Sequence, residues 1–312
     1  MRELINPRLF RAMLPALSLA ILLTAIFYIQ PRTMSYFGLN LMLNLAIPIT
    51  LATIAQMFIL CVNDLDLSIG AYVSLMACIA ATLLNDTPVY GVLAIIGCIA
   101  IYAALGALIH LRNLPSIVVT LGMSFVRLGI AVMLLPTPGG EAPGWIRSLM
   151  TLKPAYVPFP IIASVVIALV VHFGLMKSSY GVVLRGAGGN ARAITRSGWS
   201  MLRVKATMYA YAGLFGALTG LALVGLTTSA DANFALRFSL LSIAGVILGG
   251  GEFVGGRVSP IGAVIGAITL TLTGSFLSFL RLNPDWQIGA QGAILIIVLA
   301  LRVLINRLEA RK

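Results

Sequence analysis

Residues 90–109 read YGVLAIIGCIAIYAALGALI, twenty consecutive positions without a charged side chain. As an α-helix this stretch is about 30 Å long, the thickness of the hydrocarbon core of a bilayer. A helix apolar on every face has no side to offer water. In lipid it needs none, because its backbone groups are satisfied internally. Comparable windows recur at 12–30, 42–61, 67–84, 115–135, 158–176, 206–226, 239–251, 259–280 and 287–305. The composition agrees: of 312 residues 60% are hydrophobic and 10% charged, with a mean hydropathy of +1.03. Soluble chains are usually about a quarter charged. The strict apolar–polar alternation of a membrane β-barrel is missing from these runs. The expectation is an all-α, polytopic transmembrane helical bundle of about ten spans, forming one domain over residues 1–312. The window at 239–251 is short for a full span and is equally consistent with a re-entrant segment.

Charge placement orients this map. With the N-terminus on the cytoplasmic side, fifteen of the 21 Lys and Arg fall in cytoplasmic segments. Five fall outside and Arg127 lies within a span, the bias that the positive-inside rule describes. Both termini are therefore expected in the cytoplasm of a bacterial cell, with the chain in its inner membrane. The basic N-terminus leading into the 12–30 window reads as a retained first span, since no small-residue cleavage site follows. The net charge of +12 belongs to this topology signal, and nucleic acid is not expected as a partner. Cys61, Cys78 and Cys98 lie in apolar runs without metal-ligand spacing and read as small hydrophobes. There is no GxxxxGK[ST] phosphate loop. The chain is thus expected to be no enzyme and to bind no cofactor, and any ATP-driven work needs a separate subunit. The outer loop at 136–157, rich in Pro and Gly, is either a plain connector or a docking surface.

Three polar interruptions carry the functional reading. The first is VNDLDLSIG, 62–70, where Asn63, Asp64, Asp66 and Ser68 separate two apolar runs. A carboxylate or hydroxyl there caps the next helix, and a broken helix also offers hydrogen-bond partners to a polar solute. Arg127 is costly inside a span unless it faces a partner or a cavity, or snorkels to an interface; Asp66 and Glu252 are its candidate partners. These five residues are the substrate-path candidates. The second is YGVVLRGAGGNARAITRSGW, 180–199, basic and broken by glycine, in a cytoplasmic loop at about 177–205. Gly188, Gly189, Asn190, Arg192, Ala193, Arg196, Ser197 and Gly198 are its candidate coupling residues. The third, 240–267, is dense in glycine, and Gly262 to Gly266 has the spacing of close helix packing. Gly249, Gly250, Gly255, Gly256, Arg257, Gly262 and Gly266 are candidates for packing or for a gate.

Together these segments resemble the membrane permease of ribose- and autoinducer-2-type ABC importers, over roughly residues 40–305. The motifs are Asp66-Leu67-Ser68-Ile69-Gly70; Thr120-Leu121-Gly122-Met123 with Arg127 and Gly129; the 180–198 loop; and Gly249-Gly250 with Gly255-Gly256-Arg257, Ser259 and Gly262. The resemblance implies a type II importer-like permease working by alternating access. It implies as partners two ATPase subunits, which hold ATP and Mg, a periplasmic or extracellular solute-binding protein, and a second permease copy, identical or paralogous. It also implies a short coupling helix at about Gly189–Trp199 that docks on the ATPase. The chain departs from the pattern at Asn63-Asp64, where two glycines are usual, at Ser242 and at Val258. A small polar solute such as a sugar is the implied cargo. An ion- or proton-coupled secondary transporter is the alternative, with Asp64 and Asp66 as coupling sites.

Overall fold

The computed structural model describes residues 7–281 apart from 254, with six isolated positions beyond. The tenth expected span, 287–305, lies outside that continuous description. Chain order is α1 (Pro7–Ile29), a 3-10 turn (Pro31–Met34), α2 (Tyr36–Met42), α3 (Ala46–Cys61), α4 (Ile69–Ala81) and α5 (Leu83–Asp86). Then come α6 (Pro88–Arg112), α7 (Ser116–Leu134), α8 (Gly144–Met150), and α9 (Phe159–Leu169) with a π-helical continuation (Val170–Met176). The remainder is α10 (Ser179–Gly189), α11 (Ala191–Arg196), α12 (Met201–Thr227), α13 (Phe238–Leu248) and α14 (Pro260–Phe279). Among the described residues there is no strand, only an isolated bridge between Gly139 and Ala230.

Among the described residues six segments are long and apolar enough to cross a bilayer: Ile69–Asp86, Pro88–Arg112, Ser116–Leu134, Phe159–Met176, Met201–Thr227 and Pro260–Phe279. The pair α2–α3, bent by 42°, brings the number to seven. The windows expected at 12–30 and 239–251 are occupied by α1 and α13. With 11 residues α13 is about 16 Å long, half a bilayer core.

The sequence of α3, AIPITLATIAQMFILC, shows why it sits at the centre. It has no charged residue, and Pro48 falls in its first turn, where the missing N–H costs nothing. All 16 residues are buried, and α12, α13 and α14 pack around it. By contrast α6 and α7 expose Val92, Ile96, Val118, Phe125 and Met133 on their outer faces. In water such faces would drive association; in lipid they are the solvated surface.

Glycine decides one helix crossing. A side chain at Gly262 would strike the Gly249 carbonyl, and one at Gly266 would strike that of Gly245. The Gly262–Gly266 pair of α14 thus faces a second pair of the same spacing, Gly245–Gly249, at the end of α13. The two backbones touch because neither pair carries a Cβ.

The loops gather into two sets. At one end Gly139 pairs with Ala230, while Glu141 and Ala142 donate to the carbonyls of Ala81 and Thr228. There α8 buries Ile146 and Met150 against Gly225 of α12 and leaves Trp145 exposed, so the 136–157 loop is partly helical. At the other end the 62–66 turn meets α10, α12 and the Gly255–Gly256 turn. These are the two sets of loops that the span map assigns to opposite faces.

Candidate functional site

The site begins where α3 stops. Asp64 N–H donates to Ile59 O at 3.2 Å and Asn63 N–H to Leu60 O at 3.0 Å, with Asn63 at φ +61°. This is a helix end closed through a left-handed residue, a position where glycine is the default and asparagine the usual substitute. The chain then doubles back along α3. The Gln56 amide, turned so that donor faces acceptor, brackets Asp66: its nitrogen meets Asp66 O and its oxygen Asp66 N, both at 3.2 Å.

Every element around the break contributes a bond to it. Ser116 Oγ accepts from Leu65 N at 3.1 Å, and Thr120 Oγ1 accepts from Leu67 N at 3.2 Å. Ser239, from the first turn of α13, accepts from Gly70 N and donates to Leu67 O, each at 2.9 Å. The Asp66 carboxylate accepts from Ser68 N at 2.7 Å, from Ser68 Oγ at 2.6 Å and from the Tyr102 hydroxyl. Arg127 closes the network. One terminal nitrogen donates to Ser68 Oγ, and the guanidinium lies 4.0 Å from the Tyr102 ring centre and 4.8 Å from that of Tyr72. A buried carboxylate and a buried guanidinium are thus linked through one hydroxyl, which is how a low-dielectric interior tolerates both.

Arg127 is 3% exposed and does not snorkel. Of its two candidate partners, Asp66 shares its network, whereas Glu252 pairs with Arg257 at 3.6 Å. Asp66 and Ser68 are fully enclosed. Contact between these residues and a solute would require the helices packed around them to part. Asn63 and Asp64 face elsewhere. Asp64 holds Lys205 Nζ at 2.8 and 3.1 Å and accepts from Tyr209 Oη at 3.2 Å. A separate cavity of about 320 Å³ lies between α2–α3, α13 and α14, with Asn44, Arg237, Thr271, Ser275 and Ser278 among its lining.

The coupling segment folds into α11, six residues with none buried. Asn190 caps its start, accepting from Ala193 N at 3.0 Å. Its end is closed by Gly198 at φ +86°, where Trp199 N–H donates to Ile194 O and Gly198 N–H to Thr195 O. Arg192 and Arg196 are exposed on this helix. Gly188 is buried two residues before Asn190, and a Cβ there would meet the Cys61 carbonyl and Gly256. Gly250, Gly255 and Gly256 all have positive φ, consistent with a tight turn, and Glu252 N–H donates to Arg257 O at 3.0 Å.

Sequence reasoning missed Gln56, Tyr102, Lys205, Tyr209 and Ser239. Gln56 had a signal, as the only amide in an apolar helix that buries every residue. Lys205 carries no local sequence signal beyond its charge, and its pairing with Asp64 depends on the fold.

Buried helix breaks, lipid-facing apolar helices and one exposed, doubly capped basic helix together define a polytopic membrane permease. The chain belongs to the branched-chain amino acid transport system / permease component family, which matches residues 38–299. It is 28% identical to the galactose/methyl galactoside import permease protein MglC of Escherichia coli K12, over 91% of each chain. With the MglC of Haemophilus influenzae it shares 29% over 76% of this chain and 77% of the other. With the ribose import permease protein RbsC of E. coli K12 it shares 23%, over 90% and 91%. No solved structure matches the chain.

Proposed function

We infer that this chain is the membrane permease subunit of an ABC importer that carries a sugar or sugar-like solute across the bacterial inner membrane. Family membership and the sugar-permease relatives support the class. The observation that carries the mechanism is α11: an exposed helix of six residues, fixed at both ends by side-chain and glycine caps, displaying Arg192 and Arg196. Over 177–205 the chain has six Lys or Arg and no Asp or Glu. A rigid cationic knob outside lipid is suited to a cleft with acidic lining on a soluble motor. That motor is the ATPase subunit, which binds ATP and Mg; this chain contributes no covalent chemistry. Both termini lie in the cytoplasm, a second permease copy completes the path, and an external binding protein delivers the solute at the end that bears α8. Selectivity resides in that receptor, so the permease needs only weak contacts with the solute in each state.

The test is co-purification in mild detergent. Wild-type chain should bring a stoichiometric ATPase, and Arg192→Glu with Arg196→Glu should lose it while keeping the same elution profile. Retention of the ATPase with normal transport by the double variant would sink the assignment of α11.

A further inference from the structure

The segment from Gly188 to Lys205, which contains α11, is tied at both ends to one dipeptide. Asn63 Nδ2 donates to Gly188 O at 2.7 Å, in the last turn of α10 and three residues before α11 begins. Asp64 holds Lys205 at 2.8 Å, in the first turns of α12 immediately after it. The same Asn63 side chain accepts from Gly255 N at 3.0 Å and Gly256 N at 3.4 Å, so the turn before α14 joins the knot. The Asp64–Lys205 pair is not a loose surface pair, since its side chains are only 10% and 16% exposed; Asn63 itself is exposed. Two residues further along the chain lies Asp66, the centre of the polar network that shapes the start of α4. A second route runs beside the backbone. Tyr209 bonds Asp64 and packs against Tyr102, ring centres 6.3 Å apart, and Tyr102 bonds Asp66.

We propose that Asn63 and Asp64 are the transmission residues of this permease, carrying displacement of α11 into the α3–α4 break. The left-handed conformation at Asn63 makes the case specific. Glycine would satisfy that backbone with less strain. An asparagine there adds a side chain whose three bonds all go to the coupling segment or to the glycine turn. A push on α11 has two direct connections, which end three and two residues before Asp66. Contiguous bonded paths of this kind carry coupling only where a two-state element lies at their end. The enclosed break at Asp66–Ser68, which must open for a solute to reach it, is that element.

The proposal rests on the ATPase reading above, and the experiment separates the two. The complete importer, with its ATPase and binding protein, is reconstituted in proteoliposomes, and solute uptake and ATP hydrolysis are measured together. Asn63→Gly keeps the backbone conformation while removing every side-chain bond. Asp64→Asn removes the ion pair, and Asp64→Lys with Lys205→Asp restores it reversed. Expected for Asn63→Gly and Asp64→Asn is an ATPase still bound at wild-type stoichiometry, hydrolysis continuing, and solute moved per ATP reduced about five-fold or more. The charge-reversed pair should recover part of that loss, which a merely destabilising substitution would not. Unchanged solute per ATP in both single variants overturns the proposal. Loss of the ATPase from those variants also overturns it, assigning the dipeptide to support of the docking surface alone. If wild-type chain binds no ATPase, the functional reading fails first and the inference falls with it.

Discussion

Replacing Arg127 with methionine tests the buried network most directly. The guanidinium is 3% exposed, bonds Ser68 and stacks 4.0 Å from the Tyr102 ring. A bond made by a charged group contributes about 1.5–3 kcal/mol, and a desolvated cation–π contact up to about 2 kcal/mol. Removing one member of a buried pair also leaves the other charge uncompensated, for a total of about 3–5 kcal/mol. Asp66 keeps three hydrogen-bond donors in the variant, so the lower part of that range is expected, about 3 kcal/mol. Asp66→Asn should cost a similar amount by stranding Arg127. The double variant should cost far less than the sum, because no buried charge then lacks a partner. The cycle is read from denaturant unfolding of the four proteins in one detergent, with an interaction energy of at least about 2 kcal/mol. Additivity of the two substitutions to within about 0.5 kcal/mol would refute the idea that they form one charge-compensated unit.

Gly266→Leu should prevent normal packing of α13 on α14 and lower the yield of monodisperse protein. Gly97→Leu, where a Cβ meets nothing within 4 Å, should leave the elution profile unchanged; equal behaviour would refute the backbone-contact account. Gly198→Ala imposes a left-handed conformation on a residue with a side chain, at about 1 kcal/mol. ATPase affinity should therefore fall about five-fold without loss of the bundle, as measured by titration of purified subunits. Asn190→Ala, which removes the cap of α11, should weaken the same affinity by a comparable factor. Thiol labelling in intact membranes should spare Cys61 and Cys78, both fully buried, and proceed only on unfolding; rapid labelling of either would contradict the packing around α3.

Residue type and order decided a good deal of this protein. Runs such as 90–109 admit only a helix in lipid, because nothing else of that composition satisfies its backbone there. The punctuation was legible for the same reason: Asn190 and Gly198 bound α11 through bonds to residues three to five positions away. Gly262 and Gly266 have the spacing of a close crossing, as do Gly245 and Gly249, but that the two pairs face each other is decided by the fold. Among the described residues seven segments of spanning length stand, one of them a bent pair, while the window at 287–305 lies outside that description. The shortness of the 239–251 window was legible too, and α13 fills it with 11 residues, half a span.

The tertiary structure decided the polar pairings. Asp66 lies in the α3–α4 break and Arg127 on α7, 61 positions apart in sequence, and one serine hydroxyl joins them. Asp64 finds Lys205 across 141 residues, and Asn63 finds Gly188 across 125. Sequence determines local conformation through forces that act within a few residues of the chain. Which charge meets which, and hence whether a polar residue lines a path or ties two segments together, depends on how the helices stack.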